Sequence, residues 1–205
     1  MKILVVSYLP SGQVSRTKKL LDAFLESVEN KNSLEHLDLL EDVPDFFDKN
    51  NLEAYKQRNY KGQTLSPELQ KSIEKIDRMV AQFVAADIVV MAFPMYNFSV
   101  PGLVKTYFDS IILKGETFDM GEKGFIGLMK DKKALILMSS GGVYKGENNP
   151  YDYATGLAKL TFEFMGFSPV ELIMAQGMDM QTVDNKEVIV QAQEKVREIA
   201  SEWGV

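Results

Sequence analysis

At 205 residues the chain has the size of one domain, and with 45% hydrophobic residues it can bury a substantial core. A formal net charge of −6, with Lys and Arg scattered among Asp and Glu, leaves no basic stripe for a nucleic-acid backbone. Cysteine is absent, which removes disulfides, thiolate metal sites and thiol nucleophiles together and fits a reducing cytoplasm.

The first element is a short apolar run, Ile3 to Val6, bounded by Ser7, Pro10, Ser11 and Gly12. It is shorter than the apolar core of a signal peptide and reads as a buried strand leaving into a loop. Ser15 to Glu29 then places Leu20, Leu21, Phe24, Leu25 and Val28 on one helical face. Leu34 to Leu40 mixes alternation with a closing apolar pair, as an outer strand does. Ser66-Pro67-Glu68-Leu69 is a helix start, with Ser as cap and Pro in the first turn, and the helix carries Ile73, Ile76, Val80 and Phe83 inward to Ala85. Ile88 to Phe93 is uninterrupted apolar sequence, which suits a central strand covered on both faces. A helix over Gly102 to Leu113, a strand over Ala134 to Met138, a helix over Tyr151 to Met165, a strand over Val170 to Ala175 and a helix over Asn185 to Trp203 complete the series.

Five strands alternating with five helices predict an α/β fold, a parallel sheet wound on both sides. No repeat, linker or low-complexity tract interrupts residues 1–205, so one domain is expected. No apolar stretch reaches the roughly twenty residues of a membrane span, so a soluble, cytoplasmic protein without a membrane or nucleic-acid partner is expected. Residues 41–65, with Pro44 and Phe46-Phe47, break the rhythm. They read either as a lid or interface loop or as a partly helical insertion that packs on the surface.

In an open parallel sheet, ligands bind beyond the carboxyl ends of the strands, where the strand order reverses. Three loops are therefore informative. After strand one, Ser15, Arg16 and Thr17 put two hydroxyls and a cation at a helix start, where free N–H groups and the helix dipole favour a phosphate. The loop lacks both G-x-G-x-x-G and G-x-x-x-x-G-K-[ST]. After strand three, Pro94-Met95-Tyr96-Asn97-Phe98 is a stiff loop offering apolar faces and an amide, the surface a flat heteroaromatic ring needs. After strand four, Ser139-Ser140-Gly141-Gly142 lets the backbone approach a ligand closely.

Pro94-Met95-Tyr96-Asn97-Phe98, Val100-Pro101, Leu103-Val104-Lys105, Tyr107-Phe108-Asp109 and Gly115-x-Thr117-Phe118 closely resemble the FMN-dependent NADH-azoreductases. Ser15-Arg16-Thr17 matches that family's Ser-rich phosphate loop, and Ser139 to Gly142 its Ser-x-Gly-Gly turn. The resemblance spans the chain and implies a flavodoxin-like three-layer sandwich, with a five-stranded parallel sheet and helices on both faces. It implies FMN rather than FAD, held at its phosphate by Ser15, Arg16 and Thr17. The isoalloxazine would lie along Pro94 to Phe98, with Asn97 near its polar edge, and Ser139 to Gly142 would border the pyrimidine part. It further implies a ping-pong transfer of electron pairs from NADH or NADPH to quinones and azo compounds, in a homodimer whose two sites are built from both subunits. Phe118, Met120 and Phe164 (or Phe167) become candidate walls of the acceptor pocket, the alternative for the phenylalanines being plain core packing near helices. Ser140 stands where many members carry Arg, and Met120 where an aromatic is common.

No catalytic side chain and no metal site are expected, because water can supply the protons. His36, the only histidine, reads as structural, and Asp179, Asp184 and Glu187 read as surface charge. The rival function is a one-electron carrier of the flavodoxin kind. A flavin-free hydrolase lacks the G-x-S-x-G elbow it would need.

Overall fold

The computed structural model describes residues 1–144 and 149–205. In chain order the elements are β1 (Lys2–Ser7), α1 (Arg16–Leu25), β2 (Ser33–Asp38), α2 (Lys49–Tyr55), α3 (Pro67–Ala85), β3 (Ile88–Pro94), α4 (Gly102–Ile111), β4 (Phe118–Gly121), β5 (Gly124–Gly127), β6 (Lys133–Ser139), α5 (Ala154–Met165), β7 (Val170–Ala175) and α6 (Asn185–Trp203). A five-stranded parallel sheet in the order β2-β1-β3-β6-β7 carries helices on both faces. The expected three-layer sandwich is therefore observed. Among the described residues, no helix is long and apolar enough to cross a membrane.

The central strands are apolar on both faces because each face is covered. Leu4 and Val6, Val89, Met91 and Phe93, and Ile136 and Met138 belong to one core, shared with α3, α4 and α5. Ile3 and Val5, Ile88, Val90 and Ala92, and Leu135 and Leu137 belong to the other, shared with α1 and α6. This is the period-2 alternation of a strand resolved into two cores.

Two features depart from the sequence reading. α1 stops at Leu25 rather than Glu29, and the Ser27 hydroxyl donates back to the Ala23 carbonyl at 2.9 Å. The next amides, Ser27 and Val28, bond three residues back, to Phe24 and Leu25, so the chain tightens and leaves the helix. β4 and β5 form an antiparallel hairpin that no sequence pattern announced. Each strand has four residues, with Gly121, Gly124 and Gly127 at their ends, too short for a periodicity to register.

Segment 41–65 is the partly helical insertion of the two alternatives. Asp48 caps α2, its Oδ1 accepting from the amides of Asn50 and Asn51, and a π-helical turn follows over Lys56–Tyr60. Ala54 is buried with Ile73, Ile76 and Val80 of α3 and with Leu113. Arg58 donates twice to the Asp77 carboxylate at 2.7 Å, and the Lys114 backbone is gripped at both polar groups, by Tyr55 Oη and Asn59 Nδ2.

The hairpin is seated on α5 through glycine. A Cβ at Gly127 would run into the backbone of Met165 and Gly166, while the Met129 amide donates to the Met165 carbonyl at 2.8 Å. Neither obstacle is a flexible side-chain end. Gly127→Ala should therefore lower stability by about 2 kcal/mol, the range of core overpacking, seen as a lower urea midpoint. A midpoint matching the parent would show that the hairpin is not seated this way.

Candidate functional site

The strand order reverses between β1 and β3, since the chain goes to one side for β2 and to the other for β3. The loops leaving β1, β3 and β6 meet over that point. Together they line a cleft of about 240 Å³ with Ser11, Val14, Ser15 and Arg16, with Pro94, Met95 and Tyr96, and with Ser139, Ser140 and Gly141. Three segments far apart in sequence thus reach one place, as the sequence reading required. Thr17, Asn97, Phe98 and Gly142 are not among its lining residues.

Ser15 is the N-cap of α1, and its hydroxyl accepts from the Lys18 amide at 3.2 Å. Thr17 is fully buried, and its Oγ1 lies 2.7 Å from Ser139 Oγ. The Thr17 hydroxyl is therefore committed to the fold, whereas the Ser15 hydroxyl, an acceptor in the cap, still has its O–H to donate into the cleft it lines. What α1 offers the cleft is its first N–H groups, which have no partner within a helix, and the exposed Arg16 guanidinium, 3.5 Å from the Met178 carbonyl.

The β3 loop is a tight two-residue turn. Tyr96 and Ser99 exchange both backbone hydrogen bonds at 3.0 Å, and Asn97 and Phe98 between them have φ of 46° and 70°. Left-handed backbone is tolerable for Asn but unusual for Phe. The Tyr153 amide donates to the Phe98 carbonyl at 2.9 Å, and the Phe98 ring lies 5.7 Å from Tyr151 and 6.4 Å from Tyr144. The turn presents Tyr96, Asn97 and Phe98 to solvent while Met95 is buried. Partial desolvation, with Tyr8 nearby, pushes the Tyr96 phenol above its ordinary value.

The β6 loop is braced by a segment the sequence reading passed over. The amides of Gly177, Met178 and Asp179 donate to the carbonyls of Gly142, Ser140 and Gly141 at 2.9–3.0 Å. Asp179, read from sequence as surface charge, lines the cleft, and its carboxylate occupies the space a Cβ on Gly141 would need. Asp179 sits on the short turn after β7, and no pattern in the sequence ties that turn to Gly141. Asp184 and Glu187 are ordinary helix-end charges: Asp184 caps α6 and Glu187 accepts from Gln191. The Ser140 hydroxyl turns back onto the Gly142 carbonyl at 2.8 Å. His36 sits on β2 with Nε2 2.9 Å from Ser7 Oγ, away from the cleft.

Phe118, Met120 and Phe164 do not line this cleft. Phe118 is buried under the hairpin and forms an aromatic cluster with Phe125 and Phe164, with centroids 5.1–5.9 Å apart. Met120 is exposed beside them, and Phe167 is buried among Phe83 and Phe162.

Comparison with known proteins agrees with this arrangement. A family described as having a flavodoxin-like fold matches residues 1–200. The chain is 33% identical over 187 residues to FMN-dependent NADH:quinone oxidoreductase 1 of Bacillus anthracis, covering 90% of this chain and 84% of the relative. It is 30% identical over 205 residues to an FMN-dependent NADH:quinone oxidoreductase of Streptococcus suis, covering 98% of each. Among solved structures, the FMN-dependent NADH-azoreductase from Bacillus anthracis in complex with FMN superposes with a TM-score of 0.88 at 31% identity, again over 98% of each chain.

The left-handed turn gives a direct test of the loop geometry. Asn97→Gly should keep the urea midpoint within error or raise it slightly, whereas Asn97→Val should cost about 1–2 kcal/mol, because a β-branched residue does not tolerate that backbone. Equal stability of the two variants would contradict the turn.

Proposed function

The chain belongs to the flavodoxin-like family, among its FMN-dependent NADH-azoreductases, and on that premise we propose that it passes electron pairs from NADH through FMN to quinones and azo compounds. The observation that carries the reading is the convergence of three loops on one cleft at the strand-order switch. The residues present fit the cofactor. Free N–H groups at the α1 start and Arg16 suit a dianionic phosphate, and Gly141 lines the cleft with backbone alone, the place of a Cβ being taken by the Asp179 carboxylate. When bound, FMN supplies reversible uptake of a hydride, a chemistry no side chain here offers.

The work of the chain is binding, orientation and exclusion of water. The amides of Arg16 and Thr17 and the Arg16 guanidinium would hold the phosphate. Pro94, Met95 and Tyr96 would form the wall for the isoalloxazine, with Asn97, held out by its left-handed turn, near its polar edge. Ser139 to Gly142 would border the pyrimidine part, with the Gly141 and Gly142 amides as its donors, since the Ser140 amide is spent on the Ala175 carbonyl. Donor and acceptor use one slot in turn, which makes the cycle ping-pong, and protons come from water. The enzyme acts in the cytoplasm.

The purified protein should bind one FMN, quenching its fluorescence, and Arg16→Ala should weaken that binding about tenfold, the loss of one exposed charge-assisted hydrogen bond. NADH and a water-soluble benzoquinone should give parallel double-reciprocal lines. Bound FMN without NADH–quinone turnover would favour the electron-carrier reading, and failure to bind FMN would overturn the function.

We also propose a homodimer in which the hairpin face of one subunit closes the cleft of the other. Met120, Phe125 and Ile126 on the hairpin are 44–63% exposed, and Phe98 at the cleft mouth is 47% exposed. Clustered apolar exposure of this kind marks interaction surfaces. Phe118 and Phe164, behind that face, would then wall the partner's acceptor pocket. Phe125→Asp should shift the mass measured by light scattering from dimer to monomer and raise KM for the quinone. An unchanged mass would exclude this face.

A further inference from the structure

The cleft that suits an anion also holds an acid. Among the described residues that line it, Arg16 is the one cation and Asp179 the one carboxylate. No step of the proposed reaction uses that carboxylate as an acid, a base or a ligand, so its charge calls for another role.

The turn that carries Asp179 is held on two sides. The Met178 and Asp179 amides donate to the Ser140 and Gly141 carbonyls at 2.9 and 3.0 Å, and the Met180 amide closes the turn on the Gly177 carbonyl at 3.0 Å. From the other side, the Met178 carbonyl accepts from Asn185 Nδ2 at 3.0 Å and from the Arg16 guanidinium at 3.5 Å. The side chain lies against Gly141, with its Cγ 3.2 Å from the place a Cβ there would take. Gly141 is not left-handed, so its backbone does not call for glycine; the room it leaves is the room the carboxylate fills. Among the described residues Asp179 makes no ion pair. A fixed negative charge thus stands beside the Gly141 end of the cleft.

We infer that Asp179 lowers the reduction potential of bound FMN and so tunes the site toward acceptors that are hard to reduce. The inference rests on the FMN reading, which lays the pyrimidine part of the flavin along Ser139 to Gly142. A hydride carries two electrons and one proton from NADH, so the flavin gains one negative charge as the nicotinamide loses it. A carboxylate beside the pyrimidine part opposes that gain, and charge near the ring nitrogens is one of the levers a protein has on a flavin. In the same reading Arg16 is taken up by the phosphate dianion, which leaves the carboxylate without a counter-charge. By linkage, reduced FMN is then bound more weakly than oxidised FMN by the factor that lowers the potential.

The test compares the FMN-loaded parent with Asp179→Asn, which removes the charge at nearly constant shape, and with Asp179→Glu, which keeps it. Asp179 is exposed and its turn is held through the backbone, so both variants should fold, and a matched thermal midpoint checks it. Against a reference dye, Asp179→Asn should raise the two-electron midpoint potential by about 20 mV, equivalent to a preference for reduced FMN about fivefold greater than the parent's. Asp179→Glu should stay at the parent's potential, and 1 M salt should narrow the gap between Asp179→Asn and the parent, because the charge is open to solvent. Equal potentials in the parent and Asp179→Asn overturn the inference, even if fluorescence quenching shows tighter FMN binding, since the charge would then act on the phosphate alone. A rise shared by Asp179→Glu also overturns it, by tracing the effect to shape. These outcomes leave the FMN reading standing; failure of the parent to bind FMN overturns that reading and the inference with it.

Discussion

Ser139 ties the site together. It closes β6, its Oγ lies 2.7 Å from the fully buried Thr17 Oγ1 at the start of α1, and its carbonyl accepts from the Met95 amide at 2.8 Å. One residue thus joins the three loops that leave β1, β3 and β6. Buried polar groups of this kind are stable only as a satisfied set. A shift of any one loop would leave a hydroxyl or an amide unpaired in the interior, at a cost of about 1–3 kcal/mol. The cleft is held by the core beneath it, and its geometry is set before any ligand arrives, which is the condition for tight orientation of a cofactor.

That arrangement divides the labour at the phosphate end. The hydroxyls of Ser15 and Thr17 look like ligands in the sequence, yet that of Thr17 is spent on Ser139 of the sheet, while the Ser15 oxygen caps α1. The groups left for an anion are backbone N–H groups, the Ser15 O–H and Arg16. On the opposite wall, two left-handed residues in succession, Asn97 and Phe98, aim side chains outward at a strand end. Such strain is retained where neighbouring contacts over-determine it. Here the Tyr153 amide and the rings of Tyr144 and Tyr151 supply those contacts.

The sheet and its two cores were legible because each central strand is an apolar run long enough to stand out, and because Ser66-Pro67 marks a helix start chemically. The three loops were legible because a parallel sheet puts the carboxyl ends of its strands on one side. The β4–β5 hairpin was not, since four-residue strands between glycines carry no period. Asp179 was not, because its placement comes from a backbone ladder between residues 140–142 and 177–179, and a ladder is blind to side-chain identity.

The central claim is that three separated loops form one cofactor site. Amide hydrogen exchange of the apoprotein, with and without saturating FMN, tests it most directly. The account predicts that residues 11–18, 95–99 and 139–142 gain protection together, while the β2 edge and the surface of α6 near Glu198 stay unchanged. Protection confined to one or two of these loops, or centred on another face of the sheet, would contradict it.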